Sequence, residues 1–169
     1  YHQINRRQWQ RLDAGEITRD DVLYGRFRLL FAALGWRADP VAVETRYRSF
    51  LAQAHFPVPG ALEALEALHQ TYALYIASNG LAQTQYDRLD AAGMTPYLQG
   101  IFLSEAAGAP KPEPAFFDYC FAHMPGARRE ETLLIGDNLR TDIRGGQRAG
   151  LRTCWFNARR RPEDPAIQP

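Results

Sequence analysis

From residue 61 onward, short and nearly continuous apolar runs alternate with helix-periodic segments, and this rhythm limits the folds open to the chain. A helix over 61–69 leads into a strand at 72–77, a helix over 82–92 and a short strand at 101–103. A helix from 114 to about 123, a strand at 132–135, a helix over 141–149 and a strand at 152–156 follow. Apolar strands joined by helices predict an α/β fold whose parallel sheet is covered on both faces.

The first third reads differently. Ile4, Trp9 and Leu12 recur at helical spacing and Gly15 follows as a stop. Thr18-Arg19-Asp20-Asp21 has the form of a capping box with Asp in place of Glu, opening a helix that Gly35 ends. Asp39-Pro40 supplies a cap and a first-turn proline for a third helix carrying Val43, Tyr47, Phe50 and Leu51. Residues 1–55 are therefore expected to form a small all-helical unit. Phe56-Pro57-Val58-Pro59-Gly60 is expected to be a hinge linker (56–60), and 61–169 the α/β core.

Composition excludes several classes of function. Lys+Arg is 20 against 19 Asp+Glu, a net charge of +1, so no strong field draws the chain to nucleic acid or to a membrane. No apolar stretch approaches spanning length. Cys120 and Cys154 lack metal-ligand spacing and are expected to be buried thiols in a cytoplasmic protein. The four histidines show no ligand spacing either. The basic run Arg159-Arg160-Arg161 is expected to be solvated.

Three features fall at the ends of expected strands. In Leu133-Leu134-Ile135-Gly136-Asp137-Asn138-Leu139-Arg140-Thr141-Asp142, an apolar strand ends in Gly-Asp and a second acid stands five residues on. Two carboxylates at one crevice suit a hard cation such as Mg2+, which takes one or two of them plus waters and phosphate oxygens. Ser78-Asn79-Gly80 follows another strand, where a hydroxyl and backbone N–H groups at a helix start make a phosphate cradle. Lys111, the only lysine, is presented by the stiff loop Pro110-Lys111-Pro112. Each has an ordinary alternative: a Gly-Asp turn or helix cap, a Ser-Asn-Gly turn, a solvated surface lysine.

In order, strand–Ser78, Lys111-Pro112 and Gly136-Asp137-x-x-x-Thr141-Asp142 resemble the later motifs of the haloacid dehalogenase-like phosphohydrolases. Pro57-Val58-Pro59-Gly60-Ala61, Ser104-Glu105, Phe116-Phe117-Asp118-Tyr119 and Ala149 to Ala158 resemble the branch containing bacterial pyrimidine 5′-nucleotidases. The resemblance implies a Rossmann-like, three-layer α/β/α parallel sheet with a small all-helical cap. It implies a Mg2+-dependent phosphomonoesterase acting on a nucleoside monophosphate through an aspartyl-phosphate. Ser78 would bind phosphoryl oxygens with the N–H groups of Asn79 and Gly80. Lys111 would screen charge, Asp137 would bind Mg2+, and Asp142 would bind it directly or through water while anchoring Lys111.

The alternatives within the resemblance are a sugar-phosphate phosphatase or phosphomutase, a metal-independent 2-haloacid dehalogenase, and a non-catalytic phosphate-binding relative. The family's first motif, Asp-x-Asp on an early strand, has no match: Asp13, Asp20, Asp21 and Asp39 follow no apolar run. The chain is accordingly expected to lack the family's central first strand, to be part of a longer protein, and by itself to hydrolyse nothing.

Overall fold

A computed structural model describes residues 1–167. Gln168 and Pro169, the end of the expected 61–169 segment, lie outside the described residues, as does the side chain of Asp13. The chain divides into two compact units, Tyr1–His55 and Phe56–Pro169. Among the described residues no helix is long and apolar enough to cross a membrane.

In the first unit α1 (His2–Asp13) packs on α2 (Arg19–Leu34), and α2 on α3 (Pro40–Gln53). Local chemistry sets the helix ends. Thr18 Oγ1 accepts from the Asp21 N–H at 3.2 Å, and the Asp21 carboxylate accepts from the Thr18 N–H at 2.9 Å, closing the capping box. The Thr18 hydroxyl also donates to Asp21 Oδ2 at 2.7 Å, and this bond, followed by that from the Thr18 N–H, holds the Asp21 carboxyl below its usual range. Gly35 ends α2 at φ 65°, a left-handed conformation that favours glycine. Asp39 Oδ1 accepts from the Val41 N–H at 2.9 Å ahead of α3.

Val22, Leu23, Phe27 and Phe31 are buried, and the Phe27 and Tyr47 rings meet edge to face at 5.6 Å. Beside them lies a buried ion pair. Glu44, 0% exposed, accepts from Arg26 Nη2 at 2.7 and 2.9 Å and from Arg26 Nε at 3.2 Å. Arg26 Nη1 donates to Asn5 Oδ1 at 2.9 Å, and its guanidinium lies over the Phe27 and Tyr47 rings.

The second unit is α/β. Gly60, at φ 81°, opens α4 (Ala61–Leu68), and β1 (Tyr75–Ser78) follows. Next come α5 (Ala82–Ala91), β2 (Gly100–Leu103), a short α6 (Ser104–Ala107) and α7 (Pro114–Ala122). β3 (Leu133–Gly136), a π-helical turn at Leu139–Ile143, α8 (Arg144–Arg148) and β4 (Arg152–Trp155) complete it. β1 pairs in parallel with β2, Tyr75 opposite Gly100 through Ser78 opposite Leu103. β3 pairs in parallel with β4, Leu133 opposite Arg152 through Gly136 opposite Trp155. The two pairs form separate two-stranded sheets among the described residues.

The apolar core gathers Phe102, Ala109, Phe116, Phe117, Cys120, Met124 and Leu151. α8 lies close on the sheet because its two buried residues lack side chains. A Cβ on Gly146 would stand 2.9 Å from Leu134 and Thr153 side-chain carbons, and one on Gly145 2.9 Å from Pro112 Cβ. α8 therefore seats the Lys111-Pro112 loop as well as β3 and β4.

Two expectations are corrected. Burial pushes the Cys120 thiol up to about 11, as expected of a core thiol, but Cys154 is exposed. Alternation along β4 places Cys154 opposite Ile135, and Leu133 and Ile135 on that same face are 53% and 57% exposed. Coverage of the sheet on both faces thus does not extend to this side of β3 among the described residues.

Candidate active site

β1 and β3 each run into a loop bearing polar side chains, and Lys111 joins the two strand ends. Its ammonium donates to the Ala77 carbonyl at 2.6 Å and to Asp142 Oδ1 at 2.8 Å. The Lys111 and Asp142 side chains are only 10% and 8% exposed, so this pair is shielded from bulk water. Ammonium has three donors, and two are committed here; the third has no partner among the described residues.

Asn79 holds the lysine loop in place. Its side-chain amide accepts from the Lys111 N–H at 2.8 Å and donates to the Lys111 carbonyl at 2.9 Å. One amide thus fixes both backbone groups of a residue 32 positions away. The Lys111–Pro112 peptide is cis. Next to Asn79, Ser78 Oγ accepts from the Gly80 N–H at 3.0 Å, which leaves the hydroxyl proton for another acceptor. The Ala82 N–H, in the first turn of α5, faces Glu105 Oε1 at 3.4 Å.

Asp142 lies directly over the end of β3. A Cβ at Gly136 would overlap the Asp142 Cβ and carboxylate, so only glycine admits the acid there. Asp142 Oδ2 accepts from the Asn138 N–H at 3.0 Å, and Oδ1 lies 3.3 Å from the Thr141 hydroxyl. The π-helical turn supplies this geometry: Ile143 N–H reaches back to the Asn138 carbonyl at 3.2 Å, alongside Asp142 N–H at 2.9 Å. The turn is capped by Asn138, whose Oδ1 accepts from the Arg140 and Thr141 N–H groups at 3.0 and 3.2 Å.

Asp137 is more open, 65% exposed in its side chain, and its Oδ2 accepts from Arg161 Nη2 at 2.8 Å. Its backbone carbonyl accepts from Trp155 Nε1 at 3.2 Å. The Arg159–Arg161 run is exposed, as expected of a solvated segment, and Arg161 is in addition paired with Asp137. The sequence reading also missed the Asn79 clamp and the Asn138 cap. An Asn directly after a strand and another opening a turn were the available signals.

The structure gathers Ser78, Asn79, Gly80, Lys111 and Asp142 by direct bonds, and the close approach of Asp142 to Gly136 sets Asp137 next to them along the chain. Among the described residues no three His, Cys, Asp or Glu side chains converge as a ready-made metal cage. A hard cation that keeps several waters needs no such cage, and the oxygen donors of Asp137 and Asp142 are of the type it takes. The donor set fits Mg2+. With Lys111 and Arg161 opposing Asp137 and Asp142, the cluster carries balanced charge.

Three relatives match along the whole of this chain, which spans about three quarters of their own length. It is 42% identical over 169 residues to the HAD-hydrolase YfnB of Bacillus subtilis, covering 100% of the chain and 72% of that protein. It is 34% identical over 170 residues to the pyrimidine 5′-nucleotidase PynA of Streptococcus pneumoniae, covering 100% of the chain and 72% of PynA. It is 31% identical over 169 residues to the pyrimidine 5′-nucleotidase YjjG of Escherichia coli, with 100% and 74% covered. The crystal structure of YfnB bound to magnesium, described as revealing interdomain movement, matches with a TM-score of 0.96 over 100% of this chain and 74% of YfnB. The fold class is that of an α/β core with a helical cap. The profile of the haloacid dehalogenase-like hydrolases matches residues 2–150, and with the strand-end cluster and these identities it places the chain in that family.

Proposed function

We propose that this chain carries the phosphate-handling and cation-binding residues of a Mg2+-dependent phosphomonoesterase whose substrate is a nucleoside 5′-monophosphate. The observation that carries the reading is Lys111: a shielded ammonium anchored on Ala77 O and Asp142 Oδ1, with one donor remaining beside the Ser78 hydroxyl's loop. Phosphoryl transfer asks mainly for positioning and for neutralising charge on phosphoryl oxygens. Ser78 would donate its hydroxyl proton to one such oxygen beside the Asn79 N–H, while the Gly80 N–H holds Ser78 Oγ in place. Lys111 would offer its remaining donor to another. Asp137 would bind the cation, and Asp142 would bind it directly or through water while holding Lys111. When bound, Mg2+ would supply a Lewis acid against the phosphoryl oxygens.

The nucleotidase reading is supported by similarity to the pyrimidine 5′-nucleotidases PynA and YjjG, and the choice of metal by similarity to the magnesium-bound YfnB. The sequence holds no Asp-x-Asp pair, so in this reading the attacking carboxylate is not one of these 169 residues. A polypeptide of these residues alone is expected to release no phosphate. The test is release of inorganic phosphate from dUMP or dTMP by the full-length protein, with and without EDTA. Turnover that EDTA stops supports the proposal. Turnover of a sugar phosphate and of no nucleotide would transfer it to the sugar-phosphatase or mutase alternative, and metal-independent halide release from a 2-haloacid would replace it.

A further inference from the structure

The loop after β4 is built, rather than trailing. Phe156 N–H donates to the Gly136 carbonyl at 2.8 Å, carrying the β3–β4 pairing one step past the strands. Asn157 then clamps the loop: its Oδ1 accepts from the Arg161 N–H at 2.8 Å, and its Nδ2 donates to the Arg161 carbonyl at 2.9 Å. Between them Arg160 stands at φ 46°, a left-handed conformation unusual for arginine, and its N–H donates to the Asn157 carbonyl at 3.0 Å. The outcome of this folding is one ion pair, Arg161 Nη2 to Asp137 Oδ2 at 2.8 Å.

Resting on the reading of Asp137 as the cation ligand, we propose that Arg161 is a tethered counter-cation that occupies Asp137 until a divalent cation displaces it. Its guanidinium balances the Asp137 carboxylate, as Lys111 balances Asp142. A divalent ion arriving at Asp137 meets that guanidinium as a like charge. Either Arg161 withdraws or the ion binds more weakly. Cation affinity is then set partly by a loop that contributes no ligand.

The test is Mn2+ binding to the full-length protein without substrate, read by electron paramagnetic resonance and by calorimetry. Arg161→Gln is expected to bind Mn2+ about three- to tenfold more tightly, the scale of one charge near a divalent ion at a wet site. Arg161→Lys, which keeps the charge, is expected to stay within about twofold of the parent. Asn157→Ala, which only frees the tether, is expected to tighten binding by less than Arg161→Gln. Unchanged or weaker binding in Arg161→Gln overturns the proposal. Asp137→Asn separates the levels: if it loses Mn2+ while Arg161→Gln changes nothing, the counter-cation alone fails. If Asp137→Asn binds like the parent, the cation reading of Asp137 fails and takes this inference with it.

Discussion

Among the described residues each compact unit holds a shielded ion pair, Arg26–Glu44 in the helical unit and Lys111–Asp142 in the α/β unit, and the two are used in opposite ways. Three of the Arg26 nitrogens are bonded to Glu44 and Asn5, and two aromatic rings flank the guanidinium. Glu44 also faces Arg48 Nε at 3.6 Å and is fully buried. The pair lies inside the helical unit, its side chains 5% and 0% exposed, and it specifies how three helices meet. Lys111 retains a donor and stands at two strand ends. Burial with pairing therefore does not mark a site. A place at two strand ends, beside the Ser78 loop, does.

The comparison would break first at Glu44. Glu44→Leu leaves Arg26 buried without its partner and is expected to destabilise the protein by about 3–5 kcal/mol in urea melts. The double variant with Arg26→Met should recover most of that loss, and in the full-length protein turnover per folded molecule should stay near the parent's. A drop in turnover beyond the unfolded fraction would mean that the helical pair serves chemistry after all.

Lys111→Gln tests the other side. In the full-length protein it is expected to lower kcat by about 10²–10³-fold, the effect of removing one preorganised charge donor. Normalising to the folded fraction should leave that loss in place, in contrast to Glu44→Leu. Gly136→Ala is a milder probe of the same cluster. Its Cβ would overlap the Asp142 carboxylate, and the adjustment is expected to cost about 1–3 kcal/mol. It should also weaken Mn2+ binding, because the acid can no longer lie over the strand end.

The smallest expected effect belongs to a group outside both pairs. Thr18→Ala removes the α2 cap and is expected to cost ~1 kcal/mol at neutral pH. The Asp21 carboxyl is held below its ordinary 3.8, chiefly by the Thr18 hydroxyl. A depressed acid stabilises the folded state above its unfolded value and loses that contribution as pH falls through the folded one. The gap between parent and Thr18→Ala should therefore narrow below about pH 4, which thermal melts across pH would read.

Much of this was legible in the sequence where the cause is local. The Thr18–Asp21 box, the Gly35 stop and the Asp39-Pro40 start each depend on residues within four positions. Each forms as expected. Strand–helix alternation located β1 to β4 within a few residues, because apolar runs bounded by turn residues have few alternatives. Ser78, Lys111 and Asp142 come together as their order along alternating strands implies. What stayed hidden depends on partners far along the chain. Glu44 and Arg26 lie on different helices, and no periodicity announces their pairing. Arg161 reads as one of three tail arginines until the Asn157 clamp folds it onto Asp137. The expected helix over 141–149 is a π-helical turn followed by a five-residue helix, because one residue more per turn brings Asp142 over Gly136. Propensity does not record that demand.

α8 is too short to persist unaided, and glycines at 145 and 146 weaken it further, so contact with Pro112 and β3 is what keeps it wound. Its amides should then exchange with deuterated solvent at the pace at which the lysine loop lifts away, rather than at a helix's own fraying rate. A ligand that pins the Lys111 ammonium would slow that exchange without touching the segment, making these five residues a passive gauge of occupancy.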